Sequence, residues 1–262
     1  MKKRIVFVLN NLQYADGVAK VLVELCNFLD ENLFDITIIP IYRCDPDFIK
    51  LLKPTIHIQK TLGFYFRGLD KIVNALPIRF LYQKIVGGNY DIEVAFQYGL
   101  ATRMIANSTN RNAKHYAWMH GYDEGLTLRN EYPKFDKVFC VSKFNEERLR
   151  KESNGTVNVE CCYNIIDESK ILEASKEKIS EVTSRKPVFV AVGRQTPEKG
   201  FLRLVDVANR LKKDGYNFTL WLIGDGVEHQ QLVDKVNSEQ LEDTVKLLGI
   251  QSNPHKFTSK AD

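Results

Sequence analysis

Several short segments combine residue types and spacing that can do chemistry. The apolar run 188–192 leads into GRQTPEKG, where Gly193 lets the chain turn, Arg194 and Lys199 bring two positive charges, and Gly200 opens onto a helical pattern from Phe201. Two cations flanking a helix start suit a diphosphate without requiring a metal. A strand-to-helix loop with solvated charges accounts for the same residues. Further on, TLWLIG ends in Gly224-Asp225-Gly226. Glycines there allow a nucleotide to approach the backbone, although Gly-x-Gly without a third glycine equally describes a tight turn. Near the start, IVFVL is followed by NNLQYADGVAK, which places Gly17 immediately before a helix. Backbone N–H groups at that point can meet a phosphate or a sugar, and a simple loop glycine is the plainer reading. The stretch lacks Gly-x-Gly-x-x-Gly, which weighs against a nicotinamide enzyme. In HYAWMHGYDEG, His120 follows an apolar strand ending at Met119. An imidazole at a strand end can hydrogen-bond a sugar hydroxyl or carry a proton, or simply serve the structure. Asp123 and Glu124 either orient it or are solvated loop charges. His57, His115, His229 and His255 lack metal-ligand spacing and read as structural.

These residues must be positioned by alternating strands and helices. Short β-branched runs alternate with longer segments of helical period, which predicts an α/β protein with parallel sheets wrapped by helices. The front half offers strands at 5–9, 35–41, 92–96, 115–119 and 138–141, with a short closing strand at 157–161. Val18, Val21, Leu22, Leu25, Phe28 and Leu29 recur at helical spacing, and 144–151 forms another helix. Residues 167–186 read as a charged connecting helix and loop. A second series follows: strand 188–192, helix 201–213, strand 218–223, helix 227–237 and strand 245–248, with a short helix within 253–260. The expected organisation is a Rossmann-like domain over 1–165, a linker over 166–186 and a partial Rossmann-like domain over 187–262. Three parallel strands leave sheet edges and helix faces uncovered, so the second domain is expected to be incomplete.

Composition narrows the function classes. Hydrophobic residues make up 44% and charged residues 27%, the profile of a globular protein. The net charge of +4 comes from the front half, with 22 Lys+Arg against 18 Asp+Glu up to Ile165 and 15 against 15 beyond. That surplus is too small to make nucleic acid the expected ligand. The apolar start, Ile5 to Leu9, is too short for a signal peptide, and no run is long enough to span a membrane. The odd count of 5 cysteines, with no C-x-x-C pair, predicts reduced, mostly buried thiols in a cytoplasmic protein. Residues 43–84 hold eight Lys+Arg against three Asp+Glu, interleaved with Leu62, Phe64, Tyr65, Phe66, Leu69, Ile72, Val73, Phe80 and Leu81. This mixture suits peripheral contact with a membrane surface or a lipid-phosphate acceptor. A partly buried helix pair with exposed lysines, interrupted at Pro77, is the alternative.

Taken in order, DGVAKVLVEL, YDIEVAF, AWMHGYDE, VFCVSKFNEERL, YNIID, VAVGRQTPEKGFLRLVDVA, LWLIGDGVEHQQL and VKLLGIQSNPHKFTSKAD resemble family 4 of the retaining glycosyltransferases, which have the two-domain GT-B architecture. The resemblance covers essentially the whole chain. Its most specific element is the succession GR...EKG, IGDG and LG...NP...AD. It implies transfer of a sugar from a nucleotide-sugar donor to a glycan or lipid-linked acceptor, as in polysaccharide assembly, with anomeric configuration retained. No cofactor or catalytic metal is implied. The C-terminal domain of such enzymes holds the nucleotide and the N-terminal domain most of the acceptor. On matching positions, Arg194 and Lys199 would neutralise the departing diphosphate and His120 would contact the transferred sugar. The implied donor-binding set is Gly17, Gly193, Arg194, Lys199, Gly224, Asp225 and Gly226. The physical logic is that preorganised cations and N–H groups act where charge develops.

This chain departs from the family pattern in two places. Asp16-Gly17 stands where the family has paired glycines. The family's paired-glutamate motif, expected shortly after SKAD, is absent, so this is expected to be a truncated form with impaired turnover. A nucleotide-sugar epimerase of the same architecture and a non-catalytic remnant are the competing expectations. The expected location is cytoplasmic, peripheral at the inner face of the cell membrane.

Overall fold

The computed structural model describes residues 1–13, 17–59, 61–62, 66, 68–121, 128–179, 182 and 184–262. The chain divides into two compact units, Met1–Ile166 and Asp167–Asp262. In the first, β1 (Lys3–Leu12), β2 (Phe34–Cys44), β3 (His57–Ile58), β4 (Ile92–Ala95), β5 (Lys114–Met119), β6 (Lys137–Cys140) and β7 (Val159–Cys161) form one parallel sheet. Its spatial order is β3-β2-β1-β4-β5-β6-β7. The chain therefore builds outward from β1 on one side, then returns to β1's other edge with β4. That reversal makes a topological switch point between the carboxyl ends of β1 and β4, the place where open α/β sheets form ligand crevices.

Sequence pattern explains the layers. In β1, Val6, Val8 and Leu9 have no solvent exposure because helices cover both faces of a central parallel strand. Each such side chain contributes about 1.5–3 kcal/mol of burial free energy. Helix α1 (Gly17–Phe28) turns Ala19, Leu22, Val23 and Cys26 inward at helical spacing. α2 (Pro46–Ile49) is capped by the Asp45 side chain, which accepts from Asp47 N–H. α3 (Leu69–Ala75), α4 (Ile78–Ile85), α5 (Leu100–Ala106) and α6 (Lys143–Glu152) complete the unit. In the basic aromatic segment, Leu69, Val73 and Leu81 enter the core, whereas Phe66, Ile72, Leu76 and Phe80 remain exposed. Phe64 and Tyr65 lie outside the described residues. The five cysteines are free; Cys26 and Cys140 are buried and the other three half-buried, fewer buried thiols than the sequence suggests.

The second unit holds α7 (Glu168–Ser175), β8 (Val188–Val192), α8 (Phe201–Lys213), β9 (Thr219–Ile223), α9 (His229–Ser238), β10 (Val245–Gly249) and α10 (His255–Thr258). Its parallel sheet has the order β10-β9-β8. Phe201, Val205 and Ala208 of α8 pack with Leu220 and Leu222 of β9 and Leu232 of α9. The stretch read as a linker is tied into this unit. Asn253 Nδ2 donates to Ala174 O at 2.8 Å, Ser259 Oγ donates to Ser175 O at 3.1 Å, and Lys256 pairs with Glu177 at 2.5 Å.

One buried polar network interrupts the apolar sheet of the first unit. Glu93 on β4 is fully buried; its Oε1 accepts from Tyr82 Oη at 2.6 Å and from Asn110 Nδ2 at 3.1 Å. His115 Nε2 on β5 lies 3.4 Å from Oε2. Burial acts to raise the Glu93 pKa, but the nearby His115 ring, the hydrogen bonds from Tyr82 and Asn110, and the Ser108 hydroxyl together hold it below the ordinary 4.5. Its stabilising contribution is therefore present above pH 4.5 and is lost as pH falls from there through the lower folded value. We predict that Tyr82→Phe costs about 1.5–3 kcal/mol at neutral pH, the range for hydrogen bonds to charged groups. Urea unfolding of both proteins checks this, and the gap should narrow on acidification below pH 4.5. Equal stabilities at neutral pH, or a gap that widens in acid, would contradict it.

Candidate functional site

At the switch point of the first unit, strand ends converge on a cavity of about 280 Å³. Asn10 comes from β1, Gln97 and Tyr98 follow β4, and Trp118, Met119 and His120 come from the end of β5. His120 thus stands where the sequence expects it, its ring edge-on to Phe96 at 4.7 Å. Gly17 is the first residue of α1, and a Cβ there would meet nothing within 4 Å. Its neighbour Val18 lines the cavity, whereas Gly17 itself does not. Asp16, Asp123 and Glu124 lie outside the described residues.

Sequence reasoning missed the polar wall of this cavity. Gln97 Oε1 accepts from Asn10 N–H at 2.9 Å, and Asn10 Nδ2 donates to Tyr98 O at 3.0 Å. These bonds tie the end of β1 to the turn after β4. Asn10 Oδ1 and Trp118 Nε1 are buried and have no hydrogen-bond partner among the described residues. One is an acceptor and the other a donor, the complement of a hydroxyl-bearing ligand. The available signal was positional: each polar residue directly follows or ends an apolar strand run.

In the second unit the carboxyl ends of all three strands are joined backbone to backbone. Gly193 N–H donates to Ile223 O at 3.0 Å, Gln195 N–H to Asp225 O at 2.9 Å, and Gly224 N–H to Gly249 O at 2.8 Å. The approach is close enough to demand glycine. A Cβ on Gly224, whose φ is +131°, would stand 1.9 Å from Gly193 O, and one on Gly226 would stand 2.4 Å from Gln195 O. Gly193, Gly224, Asp225 and Gly226 therefore form a single ledge of main chain.

The two predicted cations are placed less uniformly. Arg194 is exposed on the first turn, with its Nη2 3.4 Å from Glu198 Oε1. Glu198, absent from the sequence reading, also accepts from Thr196 Oγ1 at 2.7 Å. That hydroxyl, with Arg194 and Lys199 nearby, holds the Glu198 carboxyl below the usual carboxylate range. Lys199 ends a 3-10 turn, Pro197–Lys199, and Gly200 at φ +70° starts α8 behind it. Lys199 lines a second cavity of about 540 Å³ along α8 with Arg203, Asp206 and Arg210. Neither Arg194 nor the Gly224–Gly226 turn contributes to that cavity. Of the expected catalytic residues, His120 belongs to the first unit and Arg194 and Lys199 to the second.

Comparison with known proteins bears on both units. Residues 173–262 match the family model "Glycosyl transferases group 1". The chain is 28% identical over 227 residues to the N-acetylgalactosamine-N,N'-diacetylbacillosaminyl-diphospho-undecaprenol 4-alpha-N-acetylgalactosaminyltransferase of Campylobacter jejuni, which covers 84% of this chain and 60% of that protein. The chain thus spans about 60% of the length of this curated relative. Among solved structures, Anabaena HepE in complex with UDP and glucose superposes with a TM-score of 0.67 at 16% identity, covering 99% of this chain and 72% of that one. A point mutant of S. aureus TarM in complex with fondaparinux, alpha-GlcNAc-glycerol and UDP gives 0.69 at 12%, covering 99% and 80%. The fold is accordingly the GT-B α/β architecture of these glycosyltransferases, and residues 173–262 carry the group 1 glycosyl transferase match.

Proposed function

We propose that this chain belongs to a retaining glycosyltransferase that moves a sugar from a nucleotide-sugar donor to a glycan or lipid-linked acceptor. The observation that carries the reading is the backbone ledge at the ends of β8 and β9, where Gly224 and Gly226 admit no Cβ, flanked by Arg194 and by Lys199 at the start of α8. Turns without Cβ atoms let a nucleotide approach the main chain, and the flanking cations meet the charge that grows on a departing diphosphate. His120 and the polar wall of Asn10 and Trp118 suit hydroxyl groups of a sugar. The relative that acts on a diphospho-undecaprenol substrate supports a lipid-linked acceptor. The nucleotide sugar enters this proposal as a substrate, and no cofactor is part of it.

Exposed Phe66, Ile72, Leu76 and Phe80, with Lys84 Nζ 5.9 Å from the Phe80 ring, support peripheral contact of the α3–α4 region with an anionic membrane. Among the described residues no helix is long and apolar enough to cross one.

Two measurements test the proposal. In the protein that carries these residues, labelled sugar should pass from donor to acceptor with its anomeric configuration kept. Arg194→Ala or Lys199→Ala should each lower kcat by about 10²–10³, the usual effect of removing a group that stabilises developing charge. Near-normal rates in both variants would remove the diphosphate role, and interconversion of free nucleotide sugar without transfer would favour an epimerase. For the surface, sedimentation with anionic vesicles at low salt should show binding that Ile72→Glu plus Phe80→Glu abolishes. Absence of binding by the parent chain would remove the membrane contact.

A further inference from the structure

The ledge of the second unit has a fastener that the glycines alone do not explain. Gln195 has no solvent exposure, although it follows the exposed Arg194 in the same turn. Its side-chain Nε2 donates to Gly224 O at 3.0 Å, while its Oε1 lies 2.7 Å from His229 Nδ1 at the start of α9. Its backbone is engaged as well, with N–H donating to Asp225 O at 2.9 Å and C=O accepting from Glu228 N–H at 3.0 Å. One residue thus bonds to Gly224, Asp225, Glu228 and His229, four of the six residues of the turn that bends the chain into α9.

The chemistry of these contacts determines the proton on His229. A carbonyl oxygen only accepts, so the carboxamide must present its NH₂ to Gly224 O and its oxygen to His229. That oxygen also only accepts, so Nδ1 of His229 carries the hydrogen and Nε2 is the acceptor of the neutral ring. The imidazole is 41% exposed, with Asp225 Oδ1 3.7 Å from Nδ1.

We infer that Gln195 is a positioning residue of the nucleotide ledge. It makes the Arg194 turn and the Gly224–Gly226 turn move as one piece and holds His229 as the Nδ1–H tautomer. The inference rests on the donor-site reading of that ledge and deepens it. A buried carboxamide with both ends satisfied rigidifies its surroundings, whereas an apolar side chain of similar size would fill the space and leave Gly224 O and His229 Nδ1–H unpaired.

The test is nuclear magnetic resonance on the ¹⁵N-labelled chain, with UDP, GDP, ADP and TDP as probes. The expected result is an Nδ1-protonated His229 and joint movement of the Gly193, Gly224 and Gly226 amide signals on titration with at least one probe. Gln195→Leu should weaken that probe's binding by about tenfold and abolish the Nδ1–H signature. Gln195→Glu keeps an acceptor for His229 and should retain the signature while losing the Gly224 bond. An Nε2–H tautomer in the parent chain, or binding by Gln195→Leu within about twofold of the parent, would overturn the inference. Because the tautomer is read in the parent chain, a variant that fails to fold does not block the test. If no nucleotide perturbs the ledge, the donor-site reading fails by itself; unchanged exchange of the Gly226 amide in Gln195→Leu would then dispose of the fastener too.

Discussion

The chemistry available to the second unit depends on how closely two strand-end turns can approach. Parallel pairing of β8 with β9 brings Gly193 under Gly224, and the 1.9 Å that a Cβ would have to Gly193 O excludes every other residue at that point. Once the side chains are gone, backbone N–H and C=O groups of neighbouring turns can satisfy one another, and the edge becomes a continuous polar surface. Arg194, Asp225 and the starts of α8 and α9 are then placed by the sheet itself and not by flexible loops.

The first unit meets the same problem differently. Its edge is built at the reversal of strand order between β1 and β4, and the wall is side chain as well as backbone. Asn10 and Gln97 lock the turn after β4 to the end of β1. Trp118 lies between Phe96 and Phe139, with ring centroids 5.2 and 5.1 Å away, so the aromatic stack fixes the indole beside His120. At the opposite end of the strands, the buried Glu93 network joins β4, β5 and α4 and lets the sheet carry a charge inside its apolar layers.

Much of this was legible in the residues. The unbroken run of β1, the helical spacing of α1 and α8, and the glycines at 193 and 224 are local signals, and each element formed within a few residues of its expected bounds. β3 was not legible because two residues carry no periodicity, and α5 was obscured because tertiary packing, not its short pattern, decides which face is buried; α3 and α4, on either side of Pro77, answer to the partly buried helix pair that the residues offered as the alternative. Gln195, Asn10 and Trp118 eluded the reading for a different reason. Their roles arise from partners distant in sequence, as with Gln195 and His229, separated by 34 positions. His229, read as structural, is hydrogen-bonded by that residue and gains a further meaning only from the ledge it adjoins.

The central claim is that the glycine ledge of the second unit is the nucleotide site. A crystal structure of the chain with a nucleoside diphosphate tests it most directly. The account predicts the phosphates against the Gly193–Arg194 turn and the start of α8, with the nucleoside over Gly224–Gly226. A nucleotide bound instead only in the cavity at the ends of β1, β4 and β5, with the ledge bare, would contradict it.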